Sequence, residues 1–320
     1  MEIRPFRNQD APLVADVWRS QAAHRGLAQP LTAAMFEELV LAKCFFDRDG
    51  LLLAVDGDLP LGFVHAGFGP DADLAGYSRR AGVVSRLMLR PGQPNGLAEE
   101  LLMRAEAYLR CGGAESLWAG GFAARDPFYT GLTGGSEVRG LLQSDEPAGR
   151  LFAAAGYQQV ARAVVLHREL AGFRPLVDRA QMQLRRRFFA QILLDPPAAN
   201  WWDAATLGGF ERTRFELRGR EALRPQAEAT FWMMAPFSTS WGVHAAGLVS
   251  LEVDARDRRT GLATFLIGEA LRQLAAQGIS VIEAQVDSEN IPALRFFAKL
   301  GFEQVDVAVS YRKPAAGLGA

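Results

Sequence analysis

Two sequence patterns occur twice in this chain, in the same order, and that repetition limits the possible folds more than any other feature. The first is a Gln/Arg-x-x-Gly-x-Ala turn, at Gln93-Pro94-Asn95-Gly96-Leu97-Ala98 and again at Arg258-Arg259-Thr260-Gly261-Leu262-Ala263. The second is a Pro-Ala helix ending in Gly-aromatic, from Asp145 to Tyr157 and from Asn290 to Phe302. There Pro147 coincides with Pro292, Ala148 with Ala293, Arg150 with Arg295, Phe152 with Phe297, Ala153 with Ala298 and Gly156 with Gly301 at one offset. A recurring supersecondary unit means two modules in tandem, and 320 residues suit two domains of ordinary size. The first copy is longer between its two patterns, by a glycine-rich stretch around Phe128 to Gly140.

Each turn follows an apolar run and opens a helical pattern. Ala246 to Val253 leads into the second turn, and Leu262, Leu266, Ala270 and Leu274 then make a buried stripe at steps of four. A basic, small-residue turn between a strand and a helix is an anion cradle. The first helical turn has unpaired N–H groups, the helix dipole adds partial positive charge, and together they hold phosphate oxygens. Gly261 and Ala263 let the backbone approach such a ligand. No Gly-Lys-Ser/Thr follows, so this is not a P-loop, and the triple-glycine spacing of a dinucleotide fingerprint is absent.

With Val253 five residues before Arg258, and with the Asn290 to Phe302 pattern downstream, this half resembles the GNAT acyltransferase superfamily. The resemblance implies an α/β (α+β) fold: two tandem modules, each a mixed, mostly antiparallel sheet flanked by helices, with a splayed central strand pair. It implies acetyl-CoA as co-substrate. Leu251 and Val253 would offer backbone groups to the pantetheine arm. The segment Arg258, Arg259, Thr260, Gly261, Leu262, Ala263 and Thr264 would hold the pyrophosphate, while Asn290 and Phe297 would flank the arm. The family often has a tyrosine seven residues after the asparagine, as acid for the leaving thiolate. Here that position is Phe297, and Phe152 in the first copy, so the usual acid is absent from both. Glu252 and Ser288 are the candidate catalytic residues, with Tyr311 and His244 as further groups able to carry a proton. The first cradle departs too, since Leu89 lies four residues before Gln93 and no arginine stands in the turn.

The implied activity is acetyl transfer from acetyl-CoA to an amine, expected on a small molecule. A protein N-acetyltransferase and a non-catalytic acyl-CoA sensor or scaffold are the alternatives. Net charge is −1, which favours neither nucleic acid nor an anionic membrane as partner. No apolar run approaches the roughly 18 residues of a membrane helix. Cys44 and Cys111 are far apart, which suits a reducing cytoplasm, and the four histidines show no metal-ligand spacing. A homodimer through a Trp-rich face (Trp201, Trp202, Trp232, Trp241) is compatible with this reading. Modules are expected at 1–172, with a glycine-rich insertion at 123–143, and at 173–314, before a tail at 315–320. Thr32 is expected to cap a helix over Thr32 to Lys43, Thr260 or Asp257 to cap the cradle helix, and Met182 to Leu194 to form a strand. The second copy reads as short of the two helices that follow the first strand in the N-terminal copy.

Overall fold

The computed structural model describes residues 1–121, 126–175, 178–219 and 222–314; the tail at 315–320 and the start of the insertion lie outside them. In chain order the elements are β1 (Glu2–Pro5), α1 (Ala11–Arg19), α2 (Ala33–Phe36), β2 (Leu51–Asp56), β3 (Leu59–Pro70), β4 (Tyr77–Leu89), α3 (Asn95–Cys111), β5 (Ser116–Ala119) and β6 (Leu141–Leu142). They continue with α4 (Glu146–Ala154), β7 (Gln158–Glu169), α5 (Arg179–Arg187), β8 (Phe188–Leu194), α6 (Trp201–Leu207), β9 (Arg212–Gly219) and β10 (Ala227–Met233). Last come α7 (Ala235–Trp241), β11 (Ala245–Val253), α8 (Leu262–Ala276), β12 (Val281–Asp287), α9 (Ile291–Lys299) and β13 (Glu303–Pro314).

Two compact units result, and no single cut in the chain separates them. The first comprises Met1–Ala163, Ala198–Gly209 and the stretch from Asp306; the second comprises Val164–Pro197 and Phe210–Val305. Each unit therefore takes its closing strand from the far copy: β13 pairs with β5 in the first, Tyr311 opposite Ala119, and the end of β7 lies beside β12 in the second. The α6 helix, which follows the first strand of the second copy, folds into the first unit, where Trp202 stacks on Phe45 at 5.4 Å.

In the first unit the strands run β1-β2-β3-β4-β5-β13, antiparallel except for β4 and β5. One face packs on α3 through Leu97, Leu101, Ala105 and Leu109. The other face is covered by α1 and by the glycine-rich insertion, which packs inward and buries Phe128, Tyr129 and Leu132. Tyr129 stacks on Trp18 at 5.7 Å, and Phe128 stacks on His65 at 3.9 Å. Gly67 makes room, since a Cβ there would lie 2.4 Å from the Phe128 ring. Thr32 caps α2 as expected, accepting from the Met35 N–H at 3.1 Å.

In the second unit the order is β7-β12-β11-β10-β9-β8. The expected stripe of α8 is buried to the last residue, with Leu262, Leu266, Ala270 and Leu274 each at most 1 % exposed. Burying four such side chains stabilises the unit by roughly 1.5–3 kcal/mol per large one. The segment from Met182 to Leu194 is helix and then strand, rather than strand throughout. Asp178 caps α5 by accepting the Gln181 N–H at 2.7 Å, and Arg185, Arg186 and Arg187 close it at the end where cations suit the dipole.

Candidate functional site

Strands β11 and β12 run parallel and in register only from Ala245 opposite Val281 to Leu248 opposite Ala284. Both continue beyond that point without pairing to each other, so the sheet opens along the second half of β11. A bulge marks the opening: Thr230 of β10 faces Ser250 and Phe231 faces Leu248, leaving Val249 as the extra residue. At the far end the Asp254 N–H donates to Gln226 O at 2.8 Å. Main-chain groups alternate sides along a strand, so those of Leu251 and Val253 face the opening. This is the splayed pair that the resemblance implies.

The turn after β11 fits an anion. Arg258 folds back, its Nε donating to Val253 O at 3.3 Å. Arg259 has φ 63° and Gly261 φ 91°, two left-handed steps that turn the chain into α8. Gly261 itself is the cap, with no side chain closing the helix. This corrects the expected Thr260 or Asp257 cap: the Thr260 hydroxyl donates instead to Asp257 O at 2.6 Å. Phe265 makes the first bond back, to Gly261 O at 3.0 Å. Among the described residues the amides of Leu262, Ala263 and Thr264 have no acceptor, which is the arrangement that binds phosphate oxygens.

A groove of about 930 Å³ follows this turn and strand. It brings together Leu251, Glu252, Val253, Arg258, Arg259, Gly261, Leu262, Ala263 and Thr264, with Arg224, Glu228 and Phe296 added. Thr260, Ser288, Asn290 and Phe297 do not line it. The Asn290 side chain caps α9, accepting the Ala293 N–H at 3.2 Å. Ser288 is half-buried in the turn after β12. Phe297 is a core residue against Phe302, with ring centres 5.0 Å apart, so its neighbour Phe296 takes the groove position. Tyr311 belongs to the first unit, where its hydroxyl accepts from Gln159 Nε2 at 3.2 Å, and His244 is exposed ahead of β11.

Glu252 is exposed and faces Glu228 across the ladder. It lies at the phosphate end of the groove, four residues from the last paired position, Leu248, or about 13 Å at 3.3 Å per residue. Another carboxylate lies nearer the opening. Glu283 pairs in register with Gly247, which in turn faces Trp232. The Glu283 side chain is 1 % exposed, with His167 Nε2 2.8 Å from Oε2 and Gln285 Nε2 donating to Oε1 at 3.2 Å. Trp241 lies against the His167 ring, centres 5.1 Å apart. The signal for this pair was present in the chain: Glu283 and Gln285 are polar at alternate positions of an otherwise apolar run. The tryptophans do not make one outer face, since Trp202 and Trp232 are buried in their own units.

The counterpart in the first unit is altered. The cap of α3 is Pro94, which has no N–H, and the Leu97 N–H is already taken by Pro94 O at 3.1 Å. Across the sheet, burial pushes the His65 pKa down to about 3. Desolvation raises that of Asp126, although the carboxylate accepts from the Phe128 and Tyr129 amides.

Residues 226–302 match the Acetyltransferase (GNAT) family. That segment resembles the GNAT acetyltransferases. The match spans the splayed strand, the cradle, α8, β12 and α9. The chain is 26 % identical to the mycothiol acetyltransferase of Clavibacter sepedonicus, over 97 % of this chain and 98 % of that one. Its fold is that of a tandem GNAT protein from the clavulanic acid biosynthesis pathway, with a TM-score of 0.69 at 15 % identity, covering 99 % of both chains. A GNAT protein from Sphaerobacter thermophilus gives a TM-score of 0.63 at 16 % identity, over 99 % of this chain and 96 % of that one. Among the described residues no helix is long and apolar enough to cross a membrane, and no cluster of side chains could hold a metal ion.

Proposed function

We propose that the second unit moves acetyl from acetyl-CoA to the amine of a small molecule by direct attack in a ternary complex. The observation that carries this reading is the joining of two features in one groove: the open edge of β11, and the unpaired amides at the start of α8. The pyrophosphate lies on the amides of Leu262 to Thr264, with Arg258 and Arg259 adding charge. The pantetheine arm runs along Leu251 and Val253 as a short extra strand, which brings the thioester to the bulge at Val249. The main chain beside that bulge polarises the thioester carbonyl.

The amine nitrogen attacks the carbonyl carbon and the carbon–sulfur bond breaks. Glu283, held by His167 and Gln285, takes the proton that the amine loses. The thiolate leaves without a protein acid and is protonated by water, since Phe297 has no proton to give. The name of the Clavibacter relative supports a small-molecule acceptor over a protein one. In the first unit Phe128 and Tyr129 occupy the sheet face where an acceptor would lie, so transfer is assigned to the second. The repeat boundary at 172/173 still marks the two copies, although their closing strands are exchanged. The two phenylalanines, Phe152 and Phe297, are the observation that favours the rival reading, a sensor that binds acetyl-CoA without turnover.

Calorimetric titration of acetyl-CoA on the intact protein and on Gly261→Trp tests the binding step. One site, lost in the variant, supports the reading; no binding by the intact protein overturns it. An amine screen with the intact protein then separates the two readings, because binding without turnover of any amine selects the sensor.

A further inference from the structure

Strand β8 is the outermost strand of its sheet, and it is an unusual edge. Among the described residues no strand pairs with its outer side. Its sequence, Phe-Phe-Ala-Gln-Ile-Leu-Leu, contains no charge and no proline. Phe189, Ile192 and Leu194 are 49 %, 39 % and 73 % exposed. Soluble proteins protect such edges with lysine, proline, bulges or a covering element, and β8 pairs with β9 in register over its whole length without a bulge.

We infer that β8 is the docking edge for a second copy of this chain, paired antiparallel about a twofold axis through Gln191. Three observations select this occupant and this register. The Asp195 N–H donates to Arg212 O at 2.8 Å, so odd-numbered residues of β8 turn their main chain toward β9. The main-chain groups of Phe188, Ala190, Ile192 and Leu194 therefore point outward, free to form a ladder. An axis through Gln191 pairs each of these with another of the set, Ala190 with Ile192 and Phe188 with Leu194, so every outward N–H and C=O finds a partner.

The same axis brings the odd residues together as non-hydrogen-bonded pairs, where side chains approach most closely. Phe189 meets Leu193 on one face, and Gln191 meets its own copy at the centre. The ends are complementary in charge. Arg185, Arg186 and Arg187 stand before the strand and Asp195 directly after it, so each arginine end meets the other copy's aspartate end. Such an interface is isologous and closes as a dimer.

The test uses the full chain with Cys44→Ser and Cys111→Ser, since both native cysteines are exposed. Sedimentation velocity across concentrations is expected to show a monomer–dimer equilibrium, and Ile192→Lys is expected to abolish the dimer while the far-UV circular dichroism spectrum of the folded chain stays unchanged. Mild oxidation is expected to cross-link Gln191→Cys to its own copy, and not Ala190→Cys, which faces residue 192. A protein that stays monomeric at every concentration overturns the proposal. So does a dimer indifferent to Ile192→Lys, or one that grows into open oligomers. If the lysine variant unfolds, the cysteine pair decides: cross-linking at 190 rather than 191, or at neither, overturns this register.

Discussion

Glu283 comes into view only in three dimensions, whereas Glu252 is the candidate that the sequence motifs pick out. Glu252 stands beside the cradle motif and lines the groove, yet it sits at the phosphate end. Glu283 is remote from both motifs and becomes relevant only because β12 leaves β11 one residue later. Glu283→Gln keeps the shape and the link to His167 while removing the proposed base. We expect steady-state kinetics to show kcat lower by about 100-fold or more, with KM for acetyl-CoA unchanged; equal losses in both would indicate a structural role. His65 carries a second expectation. Its folded pKa of about 3 lies below the ordinary 6.5, so the unfolded chain takes up the proton first. Its contribution is complete above pH 6.5 and is lost as pH falls toward 3, by on the order of 5 kcal/mol. Asp126, with a raised pKa, acts in the opposite sense. His65→Gln keeps a polar partner for the Tyr129 hydroxyl but does not titrate. Urea denaturation at stepped pH should show the gap between the two proteins narrowing below pH 6.5, and a constant gap would refute this account.

The elements that sequence reasoning placed well are those whose signals are local. The cradle, the α8 stripe and the Pro-Ala helices are written in turn residues and in steps of three and four, so Leu262, Leu266, Ala270 and Leu274 fell on the buried face as expected. Leu266→Ala should cost about 2–5 kcal/mol in urea denaturation, because the site is fully enclosed by α8 and the sheet. The segment from Met182 to Leu194 resisted because its answer changes midway: an Asp178 cap and three closing arginines make a helix, and then an apolar run starts without a glycine or proline to mark the break. The glycine-rich insertion carries no periodic signal, since its glycines suit a functional loop and a plain connection alike. Its inward packing makes an expectation in hydrogen exchange. The amides of Phe128 and Tyr129, both bonded to the buried Asp126 carboxylate at 2.9 and 2.6 Å, should be among the slow exchangers. Fast exchange there would contradict that packing.

At the scale of the whole chain, the repeat announced two modules but not which strand closes which sheet. Ladder bonds use main-chain groups that every strand possesses, so partner choice between distant strands leaves little local trace. The first unit holds β13 through more than its ladder: Lys313 Nζ lies 2.5 Å from the buried Glu106, and the Ser310 hydroxyl donates to Arg139 O at 2.6 Å. A chain ending at residue 305 should therefore lose the cooperative melt of its first unit. Circular dichroism and limited proteolysis would show this, and a protease-resistant fragment spanning residues 1–163 would contradict it. The consequence reaches back to synthesis on the ribosome. The amino-terminal half emerges first but cannot complete its sheet, because the edge of β5 waits for residues about 190 positions further along the chain. At about 5–20 residues per second that edge stays bare for on the order of ten seconds, a vulnerable interval that every newly made copy must survive.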